Sequence, residues 1–289
     1  MKEEVIKVLP TTDMLFKKLF TSPDSTHILK AFVRDILGKE FKSLKPRETY
    51  YIDSYKRAFN ADPELMRTEV DILAETEDGS HVTIEMQVQP HDYFIERAVF
   101  YLGEAYRSSL GNQEIEDFIS SNNFSALRPT YGINIVDFHL FDKEGPATRR
   151  FGVVDLDTNE ILQSSQGEDL IIISFFSLIN KNVDRNSPAY HWQQFFKTGK
   201  VADDAPDYLK DAQKKVNFYS LEEDEREMIM EMNKSKMIND AVMATVDRKA
   251  EERGKIEVAL NLLEEGLPID LIAKTTGFSV EQIKKLRNN

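Results

Sequence analysis

The residues best placed to do chemistry lie in a predicted β-hairpin over residues 69–89, where acidic and apolar side chains alternate. The alternation has period two on both strands, which is typical of strands with one buried face. A three-residue loop over residues 77–79, with its glycine in the left-handed conformation, would place Asp71 directly opposite Glu85. A two-residue loop would pair Asp71 with Met86 and mix the two faces, so the longer loop is favoured.

Two carboxylates that face each other on neighbouring strands form a candidate cation site. Their Cβ atoms would lie about 5 Å apart, where like charges repel unless a cation lies between them. Carboxylate oxygens suit hard cations, so Asp71 and Glu85 predict a site for Mg²⁺ or Mn²⁺. The alternative is a solvated sheet face that carries two acids by chance. The polar row continues with Gln87 and Gln89 rather than with a neutralising cation, which favours the metal site.

The same residues resemble a known catalytic pattern. Asp71, followed fourteen residues later by Glu85-x-Gln87, resembles the core of the PD-(D/E)xK nucleases, in a variant with Gln in place of Lys. Other segments resemble, in order, the Rpn group of recombination-promoting nucleases, also described as PD-(D/E)xK family transposases. These segments are TTDMLFKKLF, YFIERAVFYLGEAYRSSL, PTYGINIVDFHLFD, DLIIISFFSLINK and HWQQFFKTG. The resemblance covers about residues 11–200, and the order of its short motifs is the specific signal.

The resemblance implies a metal-dependent DNA endonuclease with a restriction-endonuclease-like α/β fold. Asp71 and Glu85 would ligate Mg²⁺ (or Mn²⁺), helped by the backbone carbonyl of Met86. The bound ion would polarise the scissile phosphate and lower the pKa of an attacking water. DNA is therefore the expected partner, and a cut on both strands would favour a homodimer.

Three further side chains receive roles from the resemblance. Gln87 is expected to orient the attacking water by hydrogen bonding, since a neutral amide is neither a base nor a cation. Arg97 and Tyr101 occupy the places of the group's Arg-xxx-Tyr helix, and they would support the site from that helix. The alternative role for both is helix packing.

Hydrophobic periodicity and turn residues predict the elements that would position these side chains. Helices are predicted over about residues 12–21, 24–37 and 92–110, and strands within 48–59 and near 130–140, 151–156 and 170–178. These elements predict a mixed β-sheet flanked by helices. In the helix at 92–110, a stripe of Ile95, Val99, Leu102 and Tyr106 is predicted to pack on the core. The stretch 111–131 is longer than the resemblance implies.

The final segment, residues 254–289, carries a second signal. Gly266 is predicted to end one helix, Pro268 to open the next, and Ser279 with Gln282 to form a capping box for the last. The sequence IAKTTGFSVEQIKKL resembles a DNA-binding helix-turn-helix, and such tails accompany the Rpn resemblance. The alternative is a helical hairpin that docks on a partner or on the nuclease core. The candidate phosphate contacts are Lys274, Lys284, Lys285 and Arg287.

Composition narrows the classes of protein and of catalytic site that remain possible. The chain has 289 residues, a formal net charge of −13 and no cysteine, which excludes disulfides, thiolate catalysis and Cys-ligated zinc. No Gly-rich phosphate loop occurs, which argues against an ATPase or a nicotinamide enzyme. No apolar run long enough for a membrane span and no signal-peptide pattern are present, so a cytoplasmic protein without membrane contact is expected. The net negative charge opposes a phosphate backbone, but the final helix, EQIKKLRNN, is basic, so the charge distribution permits DNA binding without indicating it.

These observations predict three regions and leave two other functions open. Residues 1–205 are predicted to form the nuclease domain, 206–253 a helical connector, and 254–289 the helix-turn-helix-like tail. A catalytically silent DNA-binding or regulatory protein would keep the fold without binding metal, and the Gln in place of Lys favours it. A mobile-element protein that cleaves DNA and also directs strand transfer is the other alternative.

Overall fold

The computed structural model of the protein describes residues 8–61, 70–108 and 127–287. A six-stranded mixed sheet organises the first part of the chain, with strand order β1-β2-β3-β4-β6-β5. The strands are β1 (Leu44–Pro46), β2 (Ile72–Thr76), β3 (His81–Gln87), β4 (Thr130–Val136), β5 (Thr148–Gly152) and β6 (Ile171–Ser177). The central strands β3, β4 and β6 run parallel, and the outer pairs are antiparallel. The predicted mixed sheet is therefore confirmed.

The β2–β3 hairpin has the predicted three-residue loop. Ile72 pairs with Ile84, and the register continues to the turn, where the Thr76 N–H donates to the Ser80 carbonyl at 2.9 Å. Gly79 adopts φ 81°, a left-handed conformation that a residue with a Cβ rarely adopts. The same register, extended one residue past β2, places Asp71 opposite Glu85.

Helices surround the sheet and continue beyond it. They are α1 (Asp13–Thr21), α2 (Thr26–Leu37), α3 (Ile52–Ala61), α4 (Phe94–Ser108), α5 (Pro188–Thr198), α6 (Asp207–Lys215), α7 (Glu223–Glu264), α8 (Ile269–Thr276) and α9 (Val280–Arg287). The prediction of a strand within residues 48–59 is wrong, because α3 occupies most of that stretch. Ile52, Tyr55 and Phe59 recur at helical spacing, which agrees with the helix.

An aromatic cluster forms the core beneath one helical layer. It joins α1, α2 and α5 through fully buried Phe16, Phe20, Phe32, Trp192 and Phe196. The ring centroids of Phe32 and Trp192 lie 5.0 Å apart at a steep angle, a favourable edge-to-face geometry. These helices and α4 cover the sheet, and every residue of β4 is therefore buried.

Helix α4 packs across β3 and β4 with a different face from the one predicted. A Cβ added at Gly132 would lie 3.4 Å from the Leu102 side chain, so the glycine permits the close approach of α4. The buried positions of α4 are Phe94, Ala98, Leu102 and Ala105, whereas Ile95 is 40% exposed and Val99 53% exposed. The predicted stripe through Ile95 and Val99 is therefore wrong. The helix is instead rotated so that Arg97 faces β3, where it contacts Glu85. The predicted end of this helix at Gly111, and most of the 111–131 stretch, lie outside the described residues.

The chain divides into two compact units, residues 1–226 and 227–289. The predicted region limits at 205 and 253 stay predictions. In the second unit, the end of α7 packs with α8 and α9 around fully buried Ala259, Ile272 and Ile283. Gly277 ends α8 with φ 76°, as the turn between two crossing helices requires.

The capping box predicted for the last helix is present. The Gln282 N–H donates to Ser279 Oγ at 3.2 Å, and the Ser279 N–H donates to Gln282 Oε1 at 2.8 Å. Within the described residues, no helix combines the length and apolar character needed to cross a membrane.

Candidate functional site

Asp71 directly precedes the first residue of β2, at the point where the edge of β3 becomes accessible. Its Oδ2 accepts a hydrogen bond from the Met86 backbone N–H at 2.7 Å, in the place where a strand partner would otherwise bind. A residue in a strand projects its N–H and C=O toward the same neighbour. By this rule the Met86 carbonyl faces the same side as its N–H, toward Asp71, and its role as a metal ligand stays a prediction.

Glu85, Gln87 and Arg97 form a connected polar cluster on the face of β3 that α4 covers. Arg97 Nη2 donates to Glu85 Oε1 at 2.6 Å and to Gln87 Oε1 at 2.6 Å. The amide nitrogen of Gln87 donates in turn to the Gln89 carbonyl at 2.8 Å. Arg97 thus holds the Glu-x-Gln pair on one guanidinium.

The polar face of β3 is not solvated. Glu85 is only 7% exposed, Thr83 is buried beside it, and His81 contacts the Ala105 carbonyl of α4 through Nδ1 at 2.8 Å. This burial argues against the alternative of a wet sheet face, where charges would face solvent. A carboxylate at such a position needs compensation by a nearby positive charge.

Both carboxylates of the pair are electrostatically strained. Burial raises the pKa of Asp71, and the negative charges of Asp13 and Glu85 raise it further. The Met86 N–H and Lys17 oppose this shift in the pKa of Asp71. Burial also raises the pKa of Glu85, against the opposing effect of Arg97. Facing acids that both resist ionisation are typical of a site that gains from a cation.

Sequence analysis missed two residues of this site, Asp13 and Lys17 of α1. Helix α1 packs against β2, and both side chains act electrostatically on Asp71. Lys17 Nζ lies 4.0 Å from Asp13 Oδ1, one helical turn apart. The available signal was in the segment DMLFKK, where Asp13 and Lys17 frame three consecutive buried residues at i, i+4 spacing. Charged side chains next to buried residues of a helix indicate that another polar group of the fold lies nearby, which here is Asp71.

Arg97 and Tyr101 both lie on α4, and Arg97 donates to Glu85 of the acidic pair. Within the described chain, Arg97 Nε is buried and has no hydrogen-bond partner, although the guanidinium lies 5.2 Å from the centre of the Phe94 ring. Tyr101 is half-buried one turn later, with its ring 5.8 Å from that of Phe100. The supporting roles of both stay predictions.

The chemistry of the donors fits a hard divalent ion. Asp71 and Glu85 supply carboxylate oxygens from facing positions, and the Met86 carbonyl points the same way. Among the residues described, no group of three or more acidic or histidine side chains is arranged to hold a metal ion. The remaining ligands would then be water, which Mg²⁺ commonly retains.

The predicted phosphate contacts of the tail are all exposed. Lys274 lies in the last turn of α8, and Lys284, Lys285 and Arg287 lie in the last turns of α9. They are accessible to a polyanion, and their role in DNA binding stays a prediction.

Two protein-family models match the chain, one over each of its two parts. Residues 10–253 match the model of the PD-(D/E)XK nuclease family transposases. Residues 252–288 match the C-terminal HTH domain of the Rpn/YhgA-like nuclease family. Neither a curated protein nor a solved structure matched the chain. The mixed sheet, the acidic hairpin and these matches together show that the chain belongs to the PD-(D/E)XK nuclease family of transposases, with an Rpn-type helix-turn-helix domain at its C-terminal end.

Proposed function

We propose that the protein is a metal-dependent DNA endonuclease, which hydrolyses phosphodiester bonds in the context of DNA recombination or a mobile element. The observation that carries this proposal is the facing pair of Asp71 and Glu85, whose burial and mutual repulsion favour a bound cation. Mg²⁺ is the proposed ion, with Mn²⁺ as a substitute.

The residues of the site divide into ligands and positioning groups. Asp71, Glu85 and the Met86 carbonyl would hold the ion, which when bound supplies a Lewis acid for the scissile phosphate and lowers the pKa of a water. Arg97 fixes the carboxylate of Glu85 and offsets its charge before the ion binds. Gln87 in turn fixes Arg97 through its amide oxygen.

Hydrolysis forms one P–O bond to water and breaks one P–O bond to a deoxyribose oxygen. The water loses a proton, and the leaving oxygen gains one. Gln87 would orient the attacking water through the amide N–H that it does not direct to Gln89. A neutral amide supplies no positive charge to the phosphate.

DNA would be held mainly by the tail. Lys274, Lys284, Lys285 and Arg287 would contact phosphates, since a net charge of −13 requires that binding depend on local basic groups. A cut on both strands would favour a homodimer, in which each subunit supplies one site.

A test of this function uses supercoiled plasmid and purified full-length protein. We expect nicking or linearisation with Mg²⁺ or Mn²⁺ and none with EDTA or with Ca²⁺ alone. Asp71→Asn and Glu85→Gln should remove cleavage while the proteins stay folded. Cleavage by the wild type in EDTA would contradict the metal mechanism.

A catalytically silent DNA-binding protein is the second candidate. The Arg97–Glu85 contact favours it, because an ion pair at 2.6 Å already satisfies one of the two carboxylates proposed as metal ligands. Plasmid binding without cleavage in any of the metal conditions, together with no response of the melting temperature to Mg²⁺ or Mn²⁺, would favour this candidate over the nuclease.

A further inference from the structure

His81 is a buried histidine that no step of the proposed reaction uses. It is 2% exposed, and both of its ring nitrogens contact other elements. Nδ1 lies 2.8 Å from the Ala105 carbonyl of α4, and Nε2 lies 2.9 Å from Nη2 of Arg47, the residue that follows β1. One ring therefore joins the β1 side of the sheet to the helix that carries Arg97.

These two contacts fix the protonation state of the His81 ring. A guanidinium nitrogen can only donate a hydrogen bond, so Nε2 must accept the one from Arg47. A carbonyl oxygen can only accept, so Nδ1 must carry the proton and donate to Ala105. A proton on Nε2 would turn a donor and a positive charge toward the guanidinium. Both contacts are therefore compatible only with the neutral ring.

The charged groups around the ring come from the two neighbouring strands. Glu75 of β2 lies directly opposite His81 in the register, with Lys45 of β1 on its other side. Arg47 Nε lies 3.7 Å from Glu75 Oε2. The other two neighbours are uncharged, since α4 presents a carbonyl and β4 pairs Thr130 with His81.

We infer that His81 makes the attachment of α4 to the β1 side of the sheet sensitive to pH. The neutral ring joins Arg47 to the Ala105 carbonyl, and protonation of Nε2 ends the contact with Arg47. Glu75 offsets the new charge on the buried ring only in part, because it also faces two other cations. The inference concerns the fold, so it stands or falls separately from the proposed nuclease function.

Arg47 can leave the ring without unfolding of the strand that carries it. Its side chain is 43% exposed, so the guanidinium can turn to solvent. Its backbone N–H donates to the Leu73 carbonyl at 2.8 Å, and this bond does not depend on the side chain. The effect of protonation is therefore directed at α4, where Arg97 lies about two turns before Ala105 and holds Glu85.

The direction of the pH effect follows from the surroundings of the ring. Burial lowers the pKa of His81, the Ala105 carbonyl raises it, Arg47 lowers it and Glu75 raises it, and the result lies below the ordinary value. The unfolded chain takes up this proton near pH 6.5, whereas the folded protein takes it up only at lower pH. The stability that neutral His81 contributes is thus fully present above about pH 6.5, and it is lost as the pH falls through the folded-state pKa.

The first test follows the five histidine rings of the full-length protein by NMR during a pH titration. His81→Gln identifies the signal of His81, which we expect to titrate below the ordinary pKa. Arg47→Met should raise the pKa of His81, because the positive charge beside Nε2 is gone. Arg253→Met, in the second unit of the chain, is the control and should leave this pKa unchanged. An ordinary pKa for His81 that does not respond to Arg47→Met would overturn the inference.

The second test compares thermal unfolding of the wild type and His81→Gln between about pH 7.5 and 5. The Gln amide oxygen can accept from Arg47 and gains no charge in acid. The raised pKa values of Asp71 and Glu85 stabilise both proteins equally as the pH falls, so the difference between the two proteins isolates the ring. We expect the melting temperature of the wild type, relative to His81→Gln, to fall by about 3 °C or more over this range.

His139→Gln is the matched control for the second test. His139 also contacts a neighbour through Nδ1, at 2.9 Å from Asn180 Oδ1, but it is exposed. Its variant should follow the pH profile of the wild type. If the melting temperatures of the wild type and His81→Gln differ by the same amount at every pH, His81 has only a structural role and the inference is refuted.

Discussion

Replacement of Asp71 with Asn should raise the stability of the protein when no divalent ion is present. Facing carboxylates about 5 Å apart repel by roughly 3 kcal/mol at an effective dielectric constant of about 20. The positive charges of Arg97 and Lys17 offset part of this repulsion, which leaves on the order of 1–2 kcal/mol for the variant to gain. Asn at position 71 keeps an oxygen that can accept from the Met86 N–H, so the hydrogen bond is retained.

The assay is thermal unfolding in EDTA and in Mg²⁺. For a unit of 226 residues, 1 kcal/mol corresponds to a shift of about 2–4 °C in melting temperature. We therefore expect Asp71→Asn to melt roughly 2–8 °C above the wild type in EDTA. Mg²⁺ should raise the melting temperature of the wild type by binding the native state, and leave the variant unchanged.

Asp137→Asn provides the matched control. Asp137 follows β4, is half-buried, and has a pKa raised by burial. Its backbone N–H donates to the Gln87 carbonyl at 3.1 Å, but no described contact joins its carboxylate to Asp71 or Glu85. Its variant should also melt higher in EDTA and should keep the full response to Mg²⁺. A lower melting temperature for Asp71→Asn in EDTA, or equal responses of the two variants to Mg²⁺, would refute the reasoning.

Three further predictions concern the neighbouring groups and the tail. Arg97→Met should lower the free energy of unfolding by about 3 kcal/mol in urea denaturation, because Glu85 is left buried without its cation; a change within error would show that Glu85 needs no partner. Gln87→Ala should lower the cleavage rate about 10²-fold without loss of metal binding, and Gln87→Lys should keep measurable activity; wild-type rates in Gln87→Ala would count against any role for this residue. Replacement of Lys284, Lys285 and Arg287 with Ala should reduce the slope of log affinity against log salt by about 3, measured by fluorescence anisotropy; an unchanged slope would return the tail to a docking role.

The hairpin was predictable because its determinants are local. Period-two alternation on both strands and a glycine that tolerates positive φ fix the register within about twenty residues, and the register alone brings Asp71 opposite Glu85. The same holds for the tail, where Gly277 and the Ser279–Gln282 capping box mark the turn and the last helix.

The faces and partners of helices were less predictable, because they depend on contacts that are distant in sequence. Ile95 and Val99 formed the more apolar stripe of α4, yet the pairing of Arg97 with Glu85 turns a different side to the sheet. Phe94, Ala98 and Ala105 are buried beside Leu102, while Ile95 and Val99 stay exposed. The segment 48–59 was predicted to hold a strand, although the helical spacing of Ile52, Tyr55 and Phe59 agrees with the helix found there.

Asp13 and Lys17 show the same limit at the site itself. They lie in another element, far from the hairpin in sequence, and only the packing of α1 against β2 brings their charges to Asp71. Periodicity assigns them to a helix but cannot say which strand that helix covers. The relevant information is the tertiary arrangement, which short-range patterns do not contain.

Binding of Mn²⁺ to the full-length protein tests the central claim most directly. Electron paramagnetic resonance of free Mn²⁺, titrated with wild type, Asp71→Asn and Glu85→Gln, measures the number of ions held by each. The account predicts one tight site per chain in the wild type and its loss in both variants, with Asp137→Asn unchanged. Equal binding by the wild type and the two variants would contradict a metal site between Asp71 and Glu85.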